Sequence, residues 1–298
     1  MQIPLIDWNS SNIVEETREA FNIAGGGRFY NIWTEEEYNQ YLKWDKCLRD
    51  WYHFTSNDDK KTFQVTKSDN QHGWIPHDEE KGGETTNPKR KGDHKEQLNI
   101  SYLRELPNVP ESLKGELEKT LPLMQKKGEE VFTLFEKVLN VEAGTLVNLI
   151  NDLNDHQLRA AWYLGAETEE KDNAISCGEH KDRNALTLLF SESPNKKLQI
   201  RAKDKEYKDI EYVGNSMVVN VGIILEVWTA GYLYAPIHRV LNDVEESFTT
   251  GYFMQPNLNS VITHVGPNAQ DWDDFSLSVG EIRDRLRKAH MQIKKNQK

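Results

Sequence analysis

Five short runs in the second half of the chain restrict its fold more than any other feature. "QLRAAWYL" (157–164), "NALTLLF" (184–190), "KLQIRA" (197–202), "SMVVNVG" (216–222) and "SFTTGYF" (247–253) are rich in β-branched and aromatic residues and are separated by turn signals. Short strands spaced this way predict an all-β sandwich or barrel. The first half reads differently. "IPLIDW" (3–8) reads as a short buried strand, and "IVEETREAFNIA" (13–24) has helical spacing with Ile13, Val14, Ala20, Phe21 and Ile23 as its inner face. "GGGRFYNI" (25–32) is a glycine turn into a second strand; no Gly-Lys-Ser/Thr follows, so it is not a phosphate-binding loop. Thr34 followed three residues later by Glu37 is a capping box, opening a helix through "YNQYLKWDKCLRDWYHF" (38–54) whose Trp44, Cys47, Leu48 and Trp51 face the core. Pro110 starts a helical region to Val141 that Pro122 should kink or divide. "GTLVNLINDL" (144–153) predicts another helix, and Ser278 with Glu281 a second capping box that opens the terminal one. Residues 57–97 form the longest irregular polar stretch, of a length often functional. The expected fold class is α+β, with residues 1–150 a mixed α/β and helical region and residues 151–298 a β core closed by a helix.

Composition excludes several function classes. The 298 residues include 37 Lys+Arg and 48 Asp+Glu, a formal net charge of −11. That balance repels phosphate backbones, so nucleic acid is not an expected partner, and the basic stretch "NPKRKGDHKE" (87–96) is too short to reverse it. No run of about 18 apolar residues is present, so no membrane span is expected, and "MQIPLIDWNSS" carries no secretory signal. Two cysteines, Cys47 and Cys177, are too few for a disulfide framework, which makes a reducing, cytoplasmic setting the expectation; a monomer is expected as well.

The chemistry concentrates in "CGEHKDRNALTLLF" and "APIHRVLND". His180 and Asp182 stand two apart, so a strand points both to one side. His238 follows 56 positions after Asp182 (238 − 182), and a second strand of a sandwich can bring it alongside. Two imidazoles and one carboxylate on one face of a metal, with the opposite positions open, are the ligand set of a mononuclear iron site. Open positions admit O2 and a substrate, and the residual positive charge attracts an anion. His-x-Asp alone occurs by chance, and the other seven histidines (53, 72, 77, 94, 156, 264 and 290) are read as surface or structural.

Context gives the triad its weight. "GEHKDRNALTLLF" followed by "KLQIRAKDKEYKDIEYVGNSMVVNVGIILEVWTAGYLYAPIHRVLN" resembles the isopenicillin N synthase-like branch of the Fe(II)/2-oxoglutarate-dependent oxygenases, where His-x-Asp precedes an "LTLL"-type strand, an "LQV-R" strand, a "VVNVGDLL" segment and "HRV". "IPLIDW", "GRFYNI" and "DHKEQLNI" (93–100) are similar to the N-terminal region of that family, so the resemblance covers nearly the whole chain. It implies a double-stranded β-helix (jelly-roll) core with flanking helices, Fe(II) held by His180, Asp182 and His238, a small-molecule substrate entering under the loop around residues 70–97, and 2-oxoglutarate as co-substrate.

The family pattern breaks at its end. An Arg-x-Ser whose arginine forks onto the far carboxylate of 2-oxoglutarate is replaced here by Ser247, Phe248 and Thr249; the hydroxyl is kept and the guanidinium lost. Removing one partner of a buried charge pair costs about 2–5 kcal/mol, which weakens binding roughly thirtyfold to several thousandfold. An unpaired dicarboxylate tail therefore needs another cation. In the family's Asn-x-Tyr, Ala161 replaces the asparagine and Tyr163 matches the tyrosine; Ile223 replaces the aspartate after "NVG". Tyr163, Ser247, Thr249, Arg159 and Arg183 are the candidates for binding co-substrate or substrate. Arg159 alternates with Ala161 and Tyr163 on one strand face, whereas Arg183 directly follows Asp182 and should point away; Arg28 is a further candidate cation. Arg201 and Arg239 stand where the family also has arginine, and Arg239 is read as structural. Three functions stay open: an oxygenase using 2-oxoglutarate to hydroxylate, desaturate or cyclise its substrate, an iron oxidase drawing all its electrons from the substrate, and a jelly-roll protein that binds without redox turnover.

Overall fold

In the computed structural model the described residues are 3–65, 72–77, 79–80, 93–101, 103–106, 109–165, 175–194, 197–271 and 276–296. The basic stretch at 87–96 and the loop expected over the cleft fall largely outside them.

The first element is β1 (Leu5–Asp7), which runs parallel to β2 (Gly26–Tyr30) after the intervening α1 (Ile13–Ala24). The Thr34 cap forms as expected, with its hydroxyl and the Glu37 carboxylate each satisfying the other's backbone N–H, and starts α2 (Glu35–Phe54). A short α3 (Asn57–Lys61) and the strands β3 (Gly73–Ile75) and β4 (Lys95–Ile100) occupy part of the stretch expected to be irregular. Next comes α4 (Glu111–Leu139), which runs through Pro122 undivided. Pro122 lies on the exposed side, where the carbonyl it deprives of a partner meets water. The opposite side, including Leu117, Leu121, Met124, Val131 and Phe135, is buried and holds the helix in register. The helix expected over 144–153 is instead two single 3-10 turns, Val147–Leu149 and Leu153–Asp155. Buried Glu136 dictates this, because its carboxylate accepts the N–H groups of Gly144 (3.0 Å), Leu146 (2.7 Å) and Val147 (2.9 Å) and folds the chain back on α4.

The second half supplies β5 (Gln157–Tyr163), β6 (Ile175–His180), β7 (Leu186–Phe190), β8 (Lys197–Arg201), β9 (Tyr207–Asp209), β10 (Ser216–Val221), α5 (Ile223–Trp228), β11 (Ile237–Leu241), β12 (Ser247–Met254), β13 (Val261–Thr263), β14 (Ser276–Ser278) and the capped terminal helix α6 (Val279–Asn296). Eight strands form a major sheet in the order β1-β2-β10-β7-β12-β5-β4-β3, antiparallel except for β1 with β2. It draws β1–β4 from the first 150 residues. Four strands form the minor sheet β6-β11-β8-β9, and β13 pairs with β14. This is the expected double-stranded β-helix with flanking helices.

Alternation assigns the two faces of the major sheet. One face, with Leu98, Leu158, Leu188, Phe248, Tyr252 and Met254, packs on α2 and α4 in the large core. Trp44 Nε1 donates to Thr250 Oγ1 at 2.9 Å and the Tyr52 hydroxyl to the Ala160 carbonyl at 2.8 Å, fixing α2 over β12 and β5. The other face looks toward the minor sheet. A smaller cluster of Cys177, Leu198, Ile200, Val218 and Val240, with Tyr163 and Leu189 against it, closes one part of the space between the sheets. The rest of that space is polar and holds the site.

Candidate metal centre

His180 is the last residue of β6, and His238 lies directly opposite it on β11. Sheet pairing, rather than proximity in sequence, brings the two rings to a centroid separation of 4.3 Å. Asp182 sits in the turn after β6, fixed by the Ile223 N–H, which donates to its carbonyl at 2.8 Å from the start of α5. Its Oδ1 lies 3.6 Å from His180 Nε2 and 3.7 Å from His238 Nε2. The three donor atoms all fall within 4.8 Å of one another.

The surrounding bonds orient this set. Nδ1 of His180 is 2.7 Å from the Gly178 carbonyl and Nδ1 of His238 is 3.3 Å from the Pro236 carbonyl. A carbonyl only accepts, so each Nδ1 carries the proton and each Nε2 turns a lone pair into the shared space when the ring is neutral. Thr187 on β7 donates to Asp182 Oδ2 at 2.6 Å and is itself held by Asn184 Nδ2 at 3.0 Å. Burial works against ionisation of Asp182, but His238, His180 and the Thr187 hydroxyl outweigh it and hold the carboxyl below its ordinary range. Two imidazole lone pairs and an anionic oxygen converge, and both histidine–aspartate separations are ones that a single divalent cation with bonds of about 2.1 Å spans. The residues present therefore fit such an ion.

The other expected site residues divide. Ser247 and Thr249 are buried on β12, opposite Tyr163 and Ala161 of β5, on the face that looks toward the minor sheet. Arg159 lies on the same face, its Nε donating to Asn99 Oδ1 at 3.0 Å. Arg183, in the turn after β6, is exposed while Asp182 beside it is buried. Arg28 is buried in β2 and donates to Ser216 Oγ at 2.7 Å and the Val213 carbonyl at 3.3 Å, a tie between strands. Arg239 donates to Gln199 at 2.9 Å and lies over the Tyr207 ring, facing away from His238 as expected.

Sequence reasoning missed four residues here. Thr187 is one. The others are buried Lys95 and Asp93 and half-buried Glu80, which form a charged cluster between the sheets. Lys95 Nζ lies 2.7 Å from Glu80 Oε2, 3.5 Å from Asp93 Oδ2 and 3.6 Å from Cys177 Sγ. Burial disfavours the Lys95 ammonium, but the acidic groups Cys177, Glu80, Tyr163 and Asp93 around it more than reverse this. Burial likewise opposes the Glu80 carboxylate, yet Lys95, Arg159 and His180 hold its pKa far below the usual range. The Cys177 thiol is pushed up to about 11 by burial. The one sequence signal for Lys95 is its place at the start of "KEQLNI", where a strand buried on both faces leaves no route to solvent.

Residues 154–256 match the sequence model of the 2OG-Fe(II) oxygenase superfamily, a span that contains all three converging side chains. That span thus carries the sequence pattern of a 2OG-Fe(II) oxygenase core. Among curated proteins it is similar to thebaine 6-O-demethylase of Papaver somniferum, 29% identical over 52% of this chain and 42% of that one, and to codeine O-demethylase of the same plant, 30% identical over 54% and 43%. The matched segment thus spans less than half the length of these relatives. Among solved structures the fold is similar to a full-length Neurospora crassa protein in complex with alpha-KG, with a TM-score of 0.77 at 21% identity, covering 96% of each chain. A 2OG-Fe(II) oxygenase family protein from Caulobacter crescentus gives a TM-score of 0.78 at 18% identity, covering 96% of this chain and 99% of that one.

Proposed function

We propose that this protein is a non-haem Fe(II) oxygenase that couples the oxidation of a small molecule to decarboxylation of 2-oxoglutarate. The observation that carries this is the convergence of His180 Nε2, His238 Nε2 and Asp182 Oδ1 on one point between two sheets. Bound there, Fe(II) would supply the redox chemistry that no protein side chain can. His180, Asp182 and His238 hold the ion by one face, and Thr187 keeps the second Asp182 oxygen engaged so that the first stays aimed at it. Ser247, Thr249 and Tyr163 line the face of the major sheet toward which the co-substrate would lie. The balance is one O2 and one 2-oxoglutarate giving CO2, succinate that carries one oxygen atom, and a substrate that either gains the other atom or loses two hydrogens to it as water. Free Cys47 and Cys177 accord with a reducing, cytoplasmic setting, and we take the chain as a monomer. Among the described residues no helix is long and apolar enough to cross a membrane.

Ser247 at the arginine position favours a second reading, an iron oxidase of the isopenicillin N synthase-like type that takes every electron from its substrate. One assay separates the two. Purified protein reconstituted with Fe(II) is given 2-oxoglutarate and O2, and succinate is measured against O2 consumed. Succinate in step with O2 supports the first reading; O2 uptake with a substrate and no succinate sinks it. An anaerobic Fe(II) titration with no change in absorbance or stability leaves only a protein that binds without turnover.

A further inference from the structure

Ser247, Tyr163 and Lys95 form one row across the major sheet, because Tyr163 pairs with Ser247 on one side and with Lys95 on the other. The lysine side chain rises from the same face, its Nζ reaching Cys177 on the minor sheet across the cleft. A cation thus stands two strands from the position where the family's arginine is missing. Its side chain is 2% exposed, so it is held by neighbours rather than by water.

The neighbour that matters is Glu80. This carboxylate does not come from the sheet. It enters from the segment before β4, places one oxygen 2.7 Å from Lys95 Nζ, and turns the other toward Arg159 Nη1 at 3.8 Å. It lies near enough to His180 to interact with it electrostatically. A carboxylate facing two cations that rise from the sheet face toward the candidate metal centre has the chemistry of an acidic ligand's tail. The charge count points the same way. Lys95 and Arg159 balance Glu80 and Asp93; a further carboxylate would leave a buried surplus negative charge, whereas exchange for Glu80 leaves none.

We propose that Lys95, seconded by Arg159, replaces the missing arginine as the clamp for the far carboxylate of 2-oxoglutarate, and that Glu80 fills that carboxylate position in the free protein and yields it to the keto acid. This rests on the co-substrate reading above. Glu80 is then a built-in competitor, so removing its charge strengthens binding of the dicarboxylate, an effect opposite to that of losing an ordinary binding residue.

The test is anaerobic calorimetry on the Fe(II)-loaded protein with two probes, 2-oxoglutarate and 2-oxobutanoate, which keeps the keto-acid head and lacks the far carboxylate. The wild type is expected to prefer 2-oxoglutarate. Lys95→Met weakens 2-oxoglutarate by about thirtyfold or more, leaves 2-oxobutanoate unchanged and so erases the preference, whereas Lys95→Arg retains it. Glu80→Gln tightens 2-oxoglutarate on the order of tenfold, the worth of one charge-assisted hydrogen bond, and leaves 2-oxobutanoate as it was. Because Lys95→Met leaves buried Asp93 and half-buried Glu80 without their cation, the charge-balanced pair Lys95→Met with Glu80→Gln is measured too and is expected to show no preference. A Lys95→Met protein that still prefers 2-oxoglutarate as the wild type does overturns the clamp and leaves the co-substrate reading intact. Weaker 2-oxoglutarate binding by Glu80→Gln overturns the competitor role. A wild type that binds neither keto acid overturns both the co-substrate reading and the clamp.

Discussion

Asp182 is a buried carboxylate whose usefulness depends on one hydroxyl. Thr187 donates to Oδ2 at 2.6 Å and leaves Oδ1 facing both histidines. Thr187→Val keeps the shape and removes the donor, so the carboxylate can rotate and its unengaged oxygen stays desolvated. Residues of this kind set ligand orientation, and their loss lowers metal affinity about 10–100-fold. Competition titration of the variant with Fe(II) should show that drop, and unchanged affinity would remove Thr187 from the site. His156 illustrates a buried imidazole with no part in the metal centre. Its Nδ1 is 2.8 Å from the Tyr252 hydroxyl, and burial lowers its pKa from 6.5 to about 4. A folded-state pKa below the unfolded one means that the unfolded chain gains a proton first as pH falls. The contribution is therefore whole above pH 6.5 and is lost between 6.5 and about 4, amounting to about 3 kcal/mol. Denaturant melts of wild type and His156→Gln across this window should show a flatter pH dependence in the variant; equal slopes would assign the acid sensitivity elsewhere.

At the scale of elements, the contact between α4 and β12 is set by the absence of one methyl group. A Cβ at Gly128 would lie 2.0 Å from Met254 Sδ and 2.6 Å from its Cε, and Met254 is fully buried. Gly128→Ala should therefore destabilise the fold by about 1–3 kcal/mol despite the helix propensity it gains. Adding Met254→Ala frees the space, so the double variant should lose less stability than the two single losses summed. Additive denaturation free energies would show that the helix and strand adjust independently. Elements were legible where their signals are local. Both capping boxes formed, and all five strand runs after residue 156 became strands. The failures share a cause in distant partners. Pro122 does not divide α4 because tertiary packing holds the helix on both sides, and 144–153 is not a helix because a glutamate on α4 claims its amides. Neither partner is readable from the segment itself.

For the molecule as a whole, the candidate metal centre is one of the places where the two sheets are tied together. His180 and His238 belong to the minor sheet, Thr187 to the major one, and Asp182 bonds across the gap. The three converging residues were legible because a two-residue spacing and a family resemblance both marked them. Lys95 and Glu80 were not, because nothing in "DHKEQLNI" or "HDEEKG" says that these charges meet inside the cleft rather than in water. That architecture makes metal binding a stability effect on the entire fold. An ion that binds only the native state contributes about 2.7 kcal/mol at one hundred times its dissociation constant. For a chain of this size the melting temperature should rise on the order of 5 °C. Anaerobic thermal melts with and without Fe(II) measure it. The shift should vanish in Asp182→Ala, which removes both the ligand and the tie to Thr187, and shrink in Thr187→Val, which leaves all three ligands in place. An undiminished shift in Asp182→Ala would mean that the stabilising ion sits elsewhere. An equal shift in Thr187→Val and wild type would mean that the ion is held by the minor sheet alone and that the two sheets do not share its binding energy.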